Sequence, residues 1–250
     1  MTDAAQRLRG ILLFLTALLL FAVLDATAKY LTTFFAVPFM VWVRYLVHFV
    51  FMVATVAPSE GWSLVTTRHP WLMTLRALML VGVTLFMQLA LQTLPLAETS
   101  ALVFTTPLLV AVLAGPLLGE KVSGRVWMAT LIGFIGALLI ARPGGALSGI
   151  GIAYAVAAAL CYALYQILTR RLVGSETQLS LLFFTALVGT LCMSFAPFTH
   201  WNGHWPSLTE AALLASLGLY GGVGHFLMIR AFREANASTL SPLLYVQLIW

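Results

Sequence analysis

The feature that most constrains this chain is a succession of apolar runs. Each is close to the length of a bilayer-spanning helix, and the gaps between them are too short for a soluble domain. A spanning helix needs about 20 mostly apolar residues. That ruler places spans at 10–29, 37–57, 70–92, 96–118, 124–141, 149–169, 177–198 and 208–230, with a ninth opening near 237 and running to Trp250. The runs are continuous rather than alternating, which predicts helices and not a barrel. Breakers fill the gaps: Pro58, Pro70, Pro95, Arg142-Pro143-Gly144-Gly145, and Trp201-Asn202-Gly203-His204-Trp205-Pro206. Composition agrees, with 61% hydrophobic and 8% charged residues where a soluble domain carries about 25% charged. The expected fold class is therefore an all-α polytopic membrane protein. A disordered chain, a secreted disulfide scaffold and most soluble enzymes are excluded. The net charge of +5 is spread over too few residues to form a basic face, so no nucleic-acid partner is expected.

The excess of cations reads instead as topology, because short cytoplasmic loops collect Lys and Arg. With the N-terminus inside, the inner face holds Arg7, Arg9, Arg68, Lys121, Arg125, Arg170, Arg171, Arg230 and Arg233. The outer face holds Lys29 and Arg142, while Arg44 and Arg76 fall within spans. Trp201 and Trp205 suit an outer interfacial belt, and Trp62 and Trp71 an inner one. Arg7 and Arg9 ahead of an apolar run superficially resemble a signal peptide. The run continues to Ala28 without a convincing cleavage site, so a retained first helix is expected. Cys161 and Cys192 lie inside apolar runs and read as small buried hydrophobes.

A shift of 141 residues superposes the spans on one another. Gly10-Ile11 falls on Gly151-Ile152, Leu19 on Leu160, Ala22 on Ala163, Lys29 on Arg170, Leu31 on Leu172, Met52 on Met193, Ala90 on Ala231, Ser100 on Ser241 and Leu102 on Leu243. Single matches are cheap in an apolar alphabet, but one constant offset across four helix pairs carries weight. A full repeat then has five spans: 1–141 holds the first repeat, and 142–250 holds spans six to nine of the second. An odd number inverts the second copy, which is the architecture of secondary transporters with a midplane site between the halves. Residues 110–141 have no partner within the chain. The repeat arithmetic thus predicts a complete protein of roughly 280–300 residues with ten helices, present here to partway through the ninth.

A series of short motifs narrows the reading further. It runs Leu94-Pro95-Leu96-Ala97-Glu98-Thr99-Ser100-Ala101, Thr106-Pro107-Leu108, Leu118-Gly119-Glu120-Lys121, Gly133-x-x-Gly136 and Ile140-Ala141-Arg142-Pro143. A later series is Arg230-Ala231-Phe232, Ala237-Ser238, Ser241-Pro242 and Tyr245. Together these resemble the EamA family of the drug/metabolite transporter superfamily across the whole chain. The resemblance implies a ten-helix, 5+5 inverted-repeat fold in the bacterial inner membrane. It also implies movement of small metabolites such as amino acids, nucleotide-like compounds and vitamins. A glutamate matching Glu120 would fall near position 261.

Ionisable groups at membrane depth cost roughly 2.5–3.5 kcal/mol on insertion scales, so each is a candidate for function. Asp25 either pairs with Lys29 one turn on or joins Arg44 in lining the outer half of a cavity. His48 shares a helix face with Arg44 and is either a proton-coupling group or a packing residue. His225 follows Gly221-Gly222-x-Gly224, where glycines permit close helix approach, and is either a packing residue or part of a gate or site. Tyr154, Tyr162, Tyr165 and Gln166 share one broad face of the sixth helix. Tyr245 and Gln247 on the ninth and Gln88 and Gln92 on the third complete a candidate aromatic–amide lining. Glu98 reads as an acid at a helix N-terminus, Pro107 as a freed backbone carbonyl, and Glu120 as an interfacial salt bridge. The candidate substrate-binding set is Asp25, Arg44, His48, Gln88, Tyr162, Tyr165, Gln166, His225, Tyr245 and Gln247.

No P-loop motif is present, and the expected function is a secondary active transporter of small polar or amphipathic metabolites. The alternative is a membrane-embedded enzyme acting on a lipid or lipid-linked substrate. It would want clustered acids or histidines, and the five histidines are scattered. No cofactor or metal is expected. The expected partners are a small-molecule metabolite, the lipid bilayer and a proton or ion as the coupling species, and the chain is expected to act as a monomer.

Overall fold

A computed structural model describes residues 3–141 and 148–248. Arg142 and the following breaker motif, the boundary between the expected repeats, and Trp250 lie outside the described residues. Those residues form α1 (Asp3–Leu31), α2 (Val37–Thr55), α3 (Ala57–Glu60), α4 (Pro70–Thr93), α5 (Leu96–Val103), α6 (Thr106–Leu118), α7 (Gly124–Ala141), α8 (Gly149–Leu172), α9 (Gln178–Cys192), α10 (Ala196–Thr199), α11 (Leu208–Glu234) and α12 (Ala237–Leu240). Two short 3₁₀ stretches, Gly61–Leu64 and Ser241–Leu248, complete the elements. Seven segments are long and apolar enough to cross a membrane, and Gly124–Leu139 is a shorter apolar helix. The chain is an all-helical, multi-pass membrane protein.

The helix boundaries follow from local chemistry. Pro38 and Pro70 sit in the first turns of α2 and α4, where their missing N–H is not needed. The span expected at 96–118 is broken between α5 and α6. Pro107 has no N–H to give the Val103 carbonyl, and the Thr106 hydroxyl takes that carbonyl instead at 2.7 Å. α6 closes on Gly119, whose φ of 68° suits glycine. Ser207 and Glu210 form a capping box at the start of α11. The ninth span is helical from Ala237 but tightens to 3₁₀ from Ser241.

The bundle is held by long paired contacts. α1 packs along α11, and α8 packs along α4; α2 lies against α11, and α9 against α4. These are the pairs that a 141-residue shift interchanges. Phe14, Leu18, Tyr165, Met228 and Phe232 are buried in the largest apolar cluster. Cys161 is half-buried, but Cys192 is exposed at the C-terminal end of α9. The expectation of two buried thiols therefore fails for Cys192, because an apolar run in a membrane protein also covers lipid-facing positions.

Side chains at the helix ends sort into two sets. At one end Glu120 pairs with Arg170 at 3.3 Å and accepts from the Ser238 backbone N–H and hydroxyl at 3.1 and 2.8 Å. Glu176 there accepts from the Thr67 hydroxyl and the backbone N–H groups of Arg68 and His69. Arg233 donates to the Glu176 carbonyl. At the other end Lys29 donates to the carbonyls of Leu91 and Leu94, and Asn202 to that of Phe34. Arg170 likewise donates to the Phe232 carbonyl. Lys29–Leu91 and Arg170–Phe232 are thus the same contact displaced by 141 residues at both partners.

α2 approaches α11 over glycine. A Cβ on Gly218 would lie 2.7 Å from Val47 Cβ and 2.8 Å from the Arg44 carbonyl oxygen, whereas one on Gly136 meets nothing within 4 Å. Gly218→Ala is expected to cost about 1–3 kcal/mol by overpacking. Gly136→Ala should be neutral or gain up to about 1 kcal/mol of helix propensity. Thermal denaturation of the two variants in detergent checks the contrast.

Candidate functional site

A cavity opens within the bundle, and twelve of its fifteen lining residues precede Ala141. The later half of the chain contributes only Tyr162, His225 and Gln247, a phenol, an imidazole and an amide. The cavity is therefore built on α1, α2, α4 and α5 and given polar groups by α8, α11 and the 3₁₀ stretch.

Two opposite charges face it. Asp25 on α1 accepts from Gln247 Nε2 at 3.2 Å. Arg44 on α2 also lines the cavity and is 8% exposed. Its guanidinium lies against α11 at Gly221, where a Cβ would come within 3.0 Å of Nε. No ion pair within 4.0 Å joins Asp25 to either Arg44 or Lys29 among the described residues. Lys29 turns instead to backbone carbonyls on α4, so the intrahelical pairing open to Asp25 is not made.

Below the cavity lies a second cation, Arg76, 1% exposed. Its Nε donates to Thr169 Oγ1 at 2.7 Å, and one terminal nitrogen donates to the Leu181 carbonyl at 3.0 Å and Thr185 Oγ1 at 2.8 Å. The other donates to the Tyr165 hydroxyl at 2.9 Å. Tyr165 is in turn 3.1 Å from His225 Nδ1. The His225 ring packs against Phe21 with centroids 4.7 Å apart. Tyr162 stacks on Tyr165 and reaches the cavity.

Several buried polar atoms have no protein partner. Both amide atoms of Gln88 and of Gln166, His225 Nε2 and the Tyr245 hydroxyl are among them. Gln88 and His225 line the cavity. A buried polar group left unpaired costs about 1–3 kcal/mol, and such groups mark places where water or a ligand is accommodated.

The structure brings Asp25, Arg44, Gln88, Tyr162, His225 and Gln247 to one cavity. Tyr165 lies behind it, held by Arg76. Gln166 is fully buried, and Tyr245 packs against Phe104 with centroids 5.7 Å apart. His48 faces a separate hollow beside Gly222 and Phe226. Tyr154 stacks on Phe86, and Gln92 is exposed. Sequence reasoning passed over Arg76 as a polar centre, although an arginine within a span carried the same signal as Arg44. It also passed over Thr84 and Ser100, cavity-lining hydroxyls that no pattern distinguishes from helix-bonded ones. Among the described residues no three His, Cys, Asp or Glu side chains gather.

The profile of the EamA-like transporter family matches residues 8–142 and 149–250. An S-adenosylmethionine uptake transporter of Rickettsia prowazekii is 29% identical over 253 residues, covering 100% of this chain and 84% of that protein. A riboflavin transporter of Vibrio cholerae is 27% identical over 243 residues, covering 94% and 80%. A solved crystal structure superposes with a TM-score of 0.77 at 19% identity, covering 95% of this chain and 84% of that one.

The partnered and unpartnered groups predict opposite responses. Thr185→Val removes an acceptor from buried Arg76 and should destabilise by about 1–3 kcal/mol. Gln88→Leu removes an amide with no protein partner and should leave stability unchanged or raise it by about 1–2 kcal/mol. Thermal denaturation in detergent reads both.

Proposed function

This chain belongs to the EamA-like transporter family, and we propose that it is a secondary active carrier of a small polar or amphipathic metabolite. Two inverted repeats, 1–141 with helices one to five and 142–250 with helices six to nine, would alternate access to the cavity between them. The observation that carries this reading is the cavity's unmet polarity. Asp25 and Arg44 face it without pairing, beside the free amide of Gln88. Ionisable groups at this depth are expensive, and a solute bearing complementary charges offsets that cost when it binds.

The lining suits an amino acid or a related compound carrying a ring. Asp25 with Gln247 would receive an ammonium, Arg44 a carboxylate, and Phe21, Phe104 and Tyr162 an apolar or heterocyclic portion. S-adenosylmethionine, named for the Rickettsia relative, has an amino-acid end and an adenine ring. Riboflavin, named for the Vibrio relative, offers a flat ring and a polyol. Tyr165, Gln166 and Tyr245 would support the lining from behind. His48 and His225 are the candidates for proton coupling, with neutral packing as the competing role for each.

The bacterial inner membrane is the proposed location, with the N-terminus cytoplasmic. The end carrying Glu120, Arg170, Arg233 and Arg68 would then face the cytoplasm, as the cation bias requires. A reporter fused in the 119–123 loop should read cytoplasmic, and one in the 200–206 loop periplasmic; the reverse pattern would sink the orientation.

Uptake by purified protein in proteoliposomes tests the carrier. Saturable movement of S-adenosylmethionine, riboflavin or an amino acid down an imposed gradient is expected. Asp25→Asn and Arg44→Gln should each reduce it at least about tenfold, consistent with a lost charge-assisted bond, with expression unchanged. Flux without saturation would indicate a channel, and turnover of lipid an enzyme.

A further inference from the structure

We infer that Arg76 and Tyr165 are positioning residues that hold His225 in a single tautomer, so that its Nε2–H serves as a donor to a carboxylate of the transported solute. The inference rests on the carrier reading above and adds a named donor atom and the group it receives.

Arginine can only donate. Its terminal nitrogen therefore gives a hydrogen to the Tyr165 oxygen at 2.9 Å. Tyr165 has one hydrogen of its own. Its other partner at hydrogen-bond distance is His225 Nδ1, at 3.1 Å; the Thr169 hydroxyl, which also neighbours the phenol, already accepts from Arg76 and donates to the backbone. The phenol must donate there, so Nδ1 is the bare nitrogen, and the proton of a neutral imidazole sits on Nε2.

The surrounding hydroxyls are oriented by the same guanidinium. Thr169 accepts from Arg76 and gives its own hydrogen to the Tyr165 carbonyl at 2.6 Å. Thr185 accepts from Arg76 and donates to the Leu181 carbonyl at 2.8 Å. Arg76 thus spends four donor bonds on three oxygens of neutral side chains and one carbonyl, and each oxygen has a single way to satisfy it. Lysine lacks this planar fork.

The product of this arrangement is an unused donor. Nε2 is buried without a partner on a ring that lines the cavity. Phe21 on one side and Tyr165 on another, with centroids 4.7 and 5.4 Å from the imidazole, keep its plane fixed. Gly221 stands one helical turn before His225, and the Arg44 guanidinium lies against it. Residues four apart share a helix face, so Arg44 and His225 Nε2–H together make a site for a carboxylate. Asp25 and Gln247 define the opposite polarity elsewhere in the same cavity. Were Nε2 the bare nitrogen, its lone pair would repel the anion instead.

The test is nitrogen-15 magnetic resonance of histidine-labelled full chain in lipid nanodiscs, with the His225 signals identified from their loss in His225→Gln. The parent is expected to show a protonated Nε2 and an unprotonated Nδ1. Sodium benzoate, an aromatic carboxylate that fits the lining, should shift the Nε2 resonance saturably, and benzylamine of similar shape should not. Tyr165→Phe removes one oxygen and should let the Nδ1–H form appear, with benzoate bound about three- to tenfold more weakly. A protonated Nδ1 in the parent overturns the inference, as does an Nε2 signal that ignores benzoate or responds equally to benzylamine. If Tyr165→Phe does not fold, the parent spectra still decide. A locked, benzoate-responsive His225 in a protein that moves no solute would overturn the carrier reading alone. Transport with the other tautomer would overturn this inference alone.

Discussion

The guanidinium of Arg76 joins four helices through one buried cation. It extends from α4 to Thr169 and Tyr165 on α8 and to Leu181 and Thr185 on α9, and through Tyr165 it reaches His225 on α11. No carboxylate neutralises it among the described ion pairs. Its charge is instead spread over oxygen dipoles, of which the two threonine hydroxyls are themselves anchored to backbone carbonyls. Such a network is favourable only when every member is satisfied, so the relative placement of α4, α8, α9 and α11 is specified more sharply here than apolar packing alone would require. The cavity rests on this platform.

Around that platform the remaining polar groups divide by place. At the ends of the bundle they are consumed in closing helices. Glu120 caps the turn opening at Ala237, Glu176 caps the start of α4, and Lys29 and Arg170 cover carbonyls left free at the ends of α4 and α11. Where backbone is irregular inside the bundle, as at Pro107, the Thr106 hydroxyl takes the freed carbonyl. This is the general requirement that backbone at membrane depth be satisfied by protein. Among the exceptions are the Gln88 amide and His225 Nε2 at the cavity, with Glu98 Oε2, the Gln166 amide and the Ser241 and Tyr245 hydroxyls outside its lining.

Much of this was legible in the sequence because the bilayer leaves few choices. Apolar runs of one length gave span positions that agree with the helices to within a few residues at most ends. α1 is the exception, since it begins well before residue 10 in the polar N-terminal segment. Charges within spans pointed to Asp25 and Arg44, and both line the cavity. The i, i+4 spacing of Arg44 and His48 suggested a shared role, but the helix face is wide enough that one meets Gly221 beside the cavity and the other Gly222 beside a separate hollow. The tyrosine face of α8 was visible as a stripe. Its division was not, because Tyr162 reaches the cavity while Tyr165 answers to Arg76, 89 residues away. Long-range partners of this kind leave no local pattern.

The division between satisfied and unsatisfied groups also bears on how such a carrier can move. A bundle whose polar groups were all paired internally would favour one arrangement strongly and bind nothing. One whose charges were all unpaired would not be stable in lipid. Here the cation with the fullest set of protein bonds, Arg76, lies behind the cavity, while Arg44, with no side-chain bond to protein among the described residues, lies at its wall against a glycine seam. Glycines at Gly218, Gly221 and Gly222 let Val47, Arg44 and His48 of α2 seat directly against α11. Small-residue contacts of this kind hold helices by close packing. A ligand that pairs with Arg44 in one arrangement of that seam and not in another has the differential affinity that any population shift requires. On the proposed carrier reading, the anchor at Arg76 and the glycine seam at α2–α11 are therefore complementary parts: one would fix where the solute is recognised, and the other would be where the cavity wall moves.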